Sequence, residues 1–313
     1  MAQADAVLEA ILSVLTTLDQ PLVEAEGMMD RLNIRLLRNL AVASVSEKNP
    51  YVEIGVFRGL SLVSVATAVA PATAIGIDNF SQFDQEGSNQ AAAFKALAAN
   101  GLTNARVIND DFEAAIDGLL NEGLRGQVGL FFIDAAHDYR SQLVALLKAR
   151  DLVKVNGVLV VDDANYAHVR QSTKDFIDHF PEFALVFEAY TPAAPMNLSE
   201  DERVKVRNGW GNGVHVLHHD PEGRWQRQSP PTIGKDLFEA DHDVMRHGLA
   251  AIAIDILTLS DELAACEADP GLLVAAQRLR ARILQHRSEN PRIFPHRNTY
   301  SDGLLAERVA ELA

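Results

Sequence analysis

Two stretches of the chain run apolar and then stop on aspartate: Phe131-Phe132-Ile133-Asp134 and Val158-Leu159-Val160-Val161-Asp162-Asp163. A strand buried on both faces reads as an unbroken hydrophobic run. In an α/β sheet the C-terminal ends of such strands open onto the ligand crevice. Three carboxylates delivered to one crevice repel, and like charges at close range raise one another's pKa. A divalent cation relieves the repulsion, and hard oxygen donors with room left for substrate suit Mg²⁺. On the residues alone a second reading stays open, in which one or two of the aspartates merely cap the helices that follow.

Upstream, Tyr51-Val52-Glu53-Ile54-Gly55-Val56-Phe57-Arg58-Gly59-Leu60-Ser61 leads into the apolar run Leu62 to Val69. That order is strand, tight glycine turn, helix, the first βα unit of a nucleotide-type fold. Gly55 lets backbone pass close to a ligand, and Gly59 starts the helix without a clashing Cβ. The N–H groups exposed at such a helix start favour a carboxylate or phosphate. The spacing is not the G-x-G-x-x-G of dinucleotide folds, and Glu53 inside the loop suits a cationic ligand better than a pyrophosphate. Two further strands also end in acid. Ile75-Gly76-Ile77-Asp78 places a carboxylate about 20 residues beyond the glycine turn, where an acid accepts hydrogen bonds from ribose hydroxyls. Val107-Ile108-Asn109-Asp110-Asp111 ends where a polar group meets an adenine edge, although Asp111 equally suits the N-cap of a helix starting at Phe112.

Composition narrows the class. The chain has 313 residues, with 28 basic against 43 acidic and a formal charge of −15. That balance speaks against a nucleic-acid surface. The single cysteine, Cys266, excludes an internal disulfide framework and a cysteine-based zinc site. The start Met-Ala-Gln-Ala-Asp lacks a basic n-region, and no apolar run reaches membrane-span length. The expectation is a soluble, cytoplasmic protein without nucleic-acid or membrane partners.

Periodicity supplies the elements that must position these residues. Helical spacing covers 5–19 and about 22–46. Strands are expected at 51–56, 74–78, 105–109, 128–133, 157–161 and 183–189, alternating with helices at 60–70, 88–100, 112–121, 139–152 and 167–179. Thr191 to Asn212 reads as loop, and Gly213 to His218 alternates like an antiparallel closing strand. Ser229-Pro230-Pro231 marks a boundary, beyond which 235–288 and 302–312 look helical. The expected architecture is a Rossmann-like α/β fold: a seven-stranded mixed sheet, mostly parallel with the last strand antiparallel, and helices on both faces. N-terminal helices at 1–47 and a C-terminal helical extension at 232–313 would flank a core at 48–224.

The stretch Glu53-Ile-Gly55-Val-Phe57-Arg-Gly59-Leu-Ser61 resembles motif I of the class I S-adenosylmethionine-dependent methyltransferases, in the catechol O-methyltransferase-like branch. Phe132-Ile-Asp134-Ala-Ala-His137-Asp-Tyr139, continuing to Gly157-Val-Leu-Val-Val-Asp162-Asp163, is similar to that superfamily's fourth and fifth strands, especially in bacterial metal-dependent macrolide-sugar O-methyltransferases. The resemblance spans about 48–218. It implies that Gly55, Phe57, Gly59 and Ser61 surround the methionine moiety, with Glu53 beneath it. Asp78 would hold the ribose, and Asp110, Asp111 and Asp134 would complete the cofactor contacts. Asp134, Asp162 and Asp163 fall at the branch's metal ligands. Two positions depart from the catechol type: Asp163 replaces an asparagine, and His137 replaces the lysine three residues after the first metal aspartate.

Histidine makes chemical sense there. Methyl transfer from a sulfonium is an in-line displacement that must align nucleophile and methyl and remove a hydroxyl proton. A metal-bound hydroxyl has a lowered pKa, and a base titrating near neutrality completes the deprotonation. A plainer role for His137 is to orient the helix beginning at Asp138, and His168 is the reserve base. Tyr166, His168 and Trp210 are candidates for substrate contact, the aromatic rings by stacking. The expected activity is Mg²⁺-dependent (or other divalent cation) O-methylation of a small hydroxylated molecule, phenol, catechol or sugar. A metal-independent carboxyl- or N-methyltransferase and a non-catalytic cofactor-binding protein are the alternatives. The apolar faces beyond residue 235 suggest a homodimer.

Overall fold

In a computed structural model, residues 2–16, 23–84, 86–191 and 209–232 are described, with a few positions between 271 and 281. β4 (Val128–Ile133) shows how the sheet is built. Leu130 and Phe132 pack into one apolar cluster while Phe131 and Ile133 pack into another, so alternate side chains serve opposite faces. The first face is covered by α1 (Ala2–Leu12), α2 (Arg31–Ser44), α3 (Leu60–Val69) and α4 (Asn89–Ala99), which contribute Val7, Leu36, Leu62 and Ala93 among others. The second is covered by α5 (Phe112–Asn121), α6 (Tyr139–Leu152) and α7 (Ala167–His179), through Ile116, Leu146 and Phe176. Burying Phe131 and Phe132 completely is worth about 2–3 kcal/mol each in transfer free energy.

Seven strands form one sheet in the order β3-β2-β1-β4-β5-β7-β6. β1 (Tyr51–Ile54), β2 (Ala74–Ile77), β3 (Ala105–Ile108), β4 and β5 (Val153–Asp162) are parallel. β7 (Val214–His219) runs antiparallel to both β5 and β6 (Phe183–Ala189). The expected Rossmann-like mixed sheet is the observed one. Five parallel strands therefore end on the same side, and Asp134 and Asp162–Asp163 stand at neighbouring ends, since Ile133 pairs with Val161.

Three local expectations are corrected. β7 does not close the sheet at its edge but inserts between β5 and β6. Its side chains satisfy both faces, Val214 and Val216 in one cluster and Leu217 in the other. β5 begins at Val153 rather than 157, because α6 passes directly into it and an irregularity between Val128 and Leu130 absorbs the register. The helix expected over 22–46 starts only at Arg31. Residues 23–30 instead cross the start of α3: Glu26 bridges Gly59, and a Cβ on Gly27 would lie 2.4 Å from Leu60 Cβ. Residues 192–208 of the expected loop and nearly all of the expected extension 232–313 lie outside the described residues. Among the described residues no helix is long and apolar enough to cross a membrane.

Candidate active site

The parallel strand ends open into a cleft of about 610 Å³, a size that suits a small-molecule or cofactor ligand. Its floor begins at Gly55, whose φ of +93° only glycine adopts readily. Gly55 N–H donates to Ile77 O at 2.9 Å, and Asp134 N–H donates to Ile54 O at 3.0 Å. These bonds draw β1, β2 and β4 so close that a Cβ on Gly55 would fall 1.5 Å from the Asp134 carbonyl oxygen. Gly55 is thus needed for strand packing as well as for ligand approach. Gly59, at φ +97°, starts α3 as expected but does not line the cleft.

Behind that floor Glu53 is fully buried. Tyr51 Oη donates to its Oε2 at 2.5 Å and Ser61 Oγ to its Oε1 at 3.0 Å. Burial pushes the Glu53 carboxyl up to about 8, the two hydrogen bonds oppose the rise, and the nearby Asp78 charge adds to it. Neither Glu53 nor Ser61 lines the cleft: Ser61 is turned toward Glu53 instead. An acid whose folded pKa is raised holds its proton longer than the unfolded chain does. The stability it confers is therefore complete below about pH 4.5 and is lost as pH climbs to about 8. Glu53→Gln keeps a neutral partner for Tyr51 and Ser61. Its stability, followed by thermal melting, is expected to gain on that of the wild type between those two pH values, by a few kcal/mol in all at about 1.4 kcal/mol per pKa unit, and to stay ahead beyond. Parallel melting curves across pH 4–9 would refute this.

Asp78 and Phe57 form the next segment of wall. Asp78 accepts from Phe57 N–H and from Phe80 N–H, both at 2.7 Å, and so fixes the loop that follows β1. Phe57 itself has φ +50°. Asp111 caps α5 by accepting from Glu113 N–H at 2.8 Å, and it also lines the cleft beside Asp110.

The acidic end is assembled from β4 and β5. Oxygen or nitrogen atoms of Asp134, His137 and Asp163 lie within 4.8 Å of one another, close enough for one ion to reach all three. His137 Nε2 is 2.7 Å from Asp163 Oδ2, and its ring stacks on Tyr166 at 5.3 Å between centroids. Asp162 is not one of this trio; its Oδ1 accepts from Asn33 Nδ2 at 3.1 Å. Burial raises the Asp134 carboxyl well above its usual range, and the charges of Asp163, Glu53 and Asp78 raise it further. Asp162 is raised by burial and by Asp134 and Asp163. Burial works against the His137 imidazolium, but the adjacent Asp163 carboxylate outweighs it and the net shift is upward. This donor set fits a hard divalent cation: its carboxylates are crowded and desolvated, and among the described residues His137 is the one cationic group paired with them.

The segment after β5 is held from beneath. Asp163 has φ +59°, a conformation asparagine and aspartate tolerate better than other side chains. Arg170, fully buried in α7, donates from Nη1 to Asn165 O at 2.5 Å and Ala164 O at 3.2 Å, and from Nε to Pro231 O at 2.8 Å. Nothing in the sequence distinguished Arg170 from a surface residue of an amphipathic helix.

Of the remaining substrate candidates, Tyr166 lines the cleft while His168 and Trp210 do not. Trp210 packs on Phe187 at 5.1 Å, and its carbonyl accepts from Asn33 Nδ2 at 3.2 Å. Sequence reasoning missed Met28, Met29, Asp30, Asn33 and Asn212, which also line the cleft.

With this geometry in place, similarity to known sequences is informative. Residues 52–164 match a methyltransferase domain family. The match holds both the glycine turn and all three aspartates of β4 and β5, and it spans less than half of the chain. No curated protein matches the chain. Solved structures with a related course include a protein from Corynebacterium glutamicum, 16% identical, covering 71% of this chain and 92% of that one at a TM-score of 0.46. Another is an O-methyltransferase from Bacillus cereus in complex with SAH, 12% identical, covering 70% and 91% at a TM-score of 0.45.

Proposed function

We propose that the protein is an S-adenosylmethionine-dependent O-methyltransferase that uses a divalent cation, Mg²⁺ by the chemistry of its donors, to methylate a hydroxyl of a small molecule. The observation that carries this reading is the convergence of Asp134, His137 and Asp163 at the strand ends, in the same cleft as the loop Gly55–Phe57. Gly55, Phe57, Asp78, Asp110 and Asp111 would hold the cofactor, which supplies an electrophilic methyl group. Asp134 and Asp163, with Asp162 beside them, would hold the cation, which lowers the pKa of a bound hydroxyl.

The chain's own residues then govern the proton. Asp163 fixes the His137 ring through Nε2 at 2.7 Å, an orientation that leaves Nδ1 as the atom able to accept a proton. Nδ1 is buried and has no hydrogen-bond partner among the described residues. Stacking on Tyr166 holds the ring plane. His137 is accordingly the base and Asp163 its positioning partner.

Isothermal titration with S-adenosylhomocysteine and with Mg²⁺ tests the reading on the wild type and on Asp134→Ala/Asp162→Ala. The expected result is product binding by the wild type and an Mg²⁺ site that the double variant loses. Product binding with no metal site would leave a metal-independent carboxyl- or N-methyltransferase or a non-catalytic binder, to be separated by transfer in EDTA. Absence of product binding would remove the methyltransferase reading itself.

A further inference from the structure

We infer that Asn33 and Asn212 form a paired acceptor subsite that selects methyl acceptors carrying at least two hydroxyl or N–H donors and no negative charge. This rests on the methyltransferase reading above and names the substrate class of that same cleft.

Asn33 is 5% exposed and lines the cleft from the first turn of α2. Its Nδ2 donates to Asp162 Oδ1 and to Trp210 O, at 3.1 and 3.2 Å. A backbone carbonyl can only accept, so the orientation of the amide is set by its surroundings. Oδ1 is consequently the free end, and it is buried without a partner among the described residues. Buried acceptors in folded proteins are almost always paired, and an unpaired one facing a cleft is satisfied when a ligand brings the donor.

Asn212 repeats the arrangement from a different element. Its Oδ1 is likewise buried and unpartnered among the described residues, and it lines the same cleft. Its backbone is anchored, because its carbonyl accepts from Asn165 N–H at 2.8 Å. The loop presses against the start of α2: a Cβ on Gly211 would lie 2.7 Å from Asp30 Oδ2. Two unpartnered side-chain carbonyls thus line the cleft, the one on Asn33 held by the two bonds of its Nδ2 and tied directly to Asp162. They can take donors from a ligand whose reacting hydroxyl points at the carboxylate cluster.

Charge sets the second requirement. Besides His137, Arg140 is the one cationic side chain lining the cleft among the described residues, and it is paired with Glu113 at 2.8 Å. Every other charged group there is a carboxylate. Even with a divalent cation bound, the carboxylates lining the cleft outnumber its positive charges, so an anionic ligand is disfavoured relative to a neutral or cationic one. Met28 and Met29 at the rim add an apolar, adaptable surface for a ring face.

The test uses the full chain with S-adenosylhomocysteine and Mg²⁺ present, and four matched probes: catechol, dopamine, 3,4-dihydroxybenzoate and phenol. Titration calorimetry is expected to show binding of catechol and dopamine, and at least tenfold weaker binding of the dihydroxybenzoate and of phenol. Asn33→Leu and Asn212→Ala should each weaken catechol and dopamine at least tenfold, with product affinity kept within twofold as the check that the cleft is intact. Asn33→Ser, which retains a small polar side chain, serves if Asn33→Leu fails that check. Equal affinity for the anionic probe, unchanged affinity in the asparagine variants, or product binding with no probe bound would each overturn the subsite. Failure to bind S-adenosylhomocysteine would instead count against the methyltransferase reading.

Discussion

Gly55→Ala is expected to cost the protein on the order of 4 kcal/mol or more and to abolish binding of S-adenosylhomocysteine. The added Cβ would lie 1.5 Å from a backbone carbonyl oxygen, that of Asp134, so no side chain can swing aside to admit it. Relief requires prising β1 from β4, yet Asp134 N–H is bonded to Ile54 O and Gly55 N–H to Ile77 O. The φ of +93° adds strain of its own for any L side chain. Gly87 supplies the control. It too has positive φ, +65°, but nothing lies within 4 Å of its built Cβ. Gly87→Ala should therefore cost only about 1 kcal/mol, the conformational part alone. Urea unfolding of both variants measures the difference. A Gly55→Ala protein within 1 kcal/mol of wild type would show that the strand ends give way more easily than their bonding indicates.

The second large effect is a trade of stability against activity at Asp134. Asp134→Asn should lower the transfer rate by about three orders of magnitude, in the range seen when a preorganised electrostatic group is removed. In metal-free buffer at neutral pH the same variant should be more stable than wild type, by about 1–2 kcal/mol. Asp134 is buried among Asp163, Glu53 and Asp78, and every one of those charges raises its pKa. An amide of the same shape removes the desolvated charge without opening a cavity. The wild type should gain stability with added Mg²⁺, as any state that binds a ligand selectively does, and the variant should not. Thermal melts with EDTA and with Mg²⁺, beside a methyl-transfer assay, give all three numbers. A variant that melts below wild type in EDTA would mean that the carboxylate cluster is not under repulsion.

Much of this architecture could be read from local pattern. A strand buried on both faces has to be apolar throughout, so Phe131–Ile133 and Val158–Val161 announced themselves, and the aspartates that end them had to fall at the sheet's ligand side. The glycine turn was equally legible, although its reason was half hidden. That Gly55 must clear the Asp134 carbonyl depends on β4 lying beside β1, a long-range fact. The same limit explains the misplaced start of α2. Residues 23–30 carry apolar side chains that read as helical, whereas in the structure Gly27 crosses close over Leu60 and Glu26 bridges Gly59. The insertion of β7 between β5 and β6 follows from packing partners that no alternation of residues encodes.

The substrate wall was the least legible part. Asn33 sits among Leu32, Ile34 and Leu36, and a lone amide in an amphipathic helix ordinarily faces water. Its burial arises because Asp162 and Trp210, distant in the sequence, both present acceptors to it. Asn212 lay in a stretch that read simply as loop. Trp210 drew notice as an aromatic ring, yet the structure uses its carbonyl on the wall and its ring against Phe187.

The strand order also bears on how the chain is made. β6 is translated before β7, yet among the described residues it pairs with no strand except β7. Until residues 214–219 have left the ribosome, a nascent chain carries two strands, β5 and β6, with open hydrogen-bonding edges and apolar side chains to hide. Such edges are templates for pairing with other chains. Synthesis that pauses or terminates between Ala189 and Val214 would therefore release an aggregation-prone fragment, and chaperone demand should be greatest over that window. Insertion of β7 then closes both open edges at once, since it pairs with β5 on one side and β6 on the other.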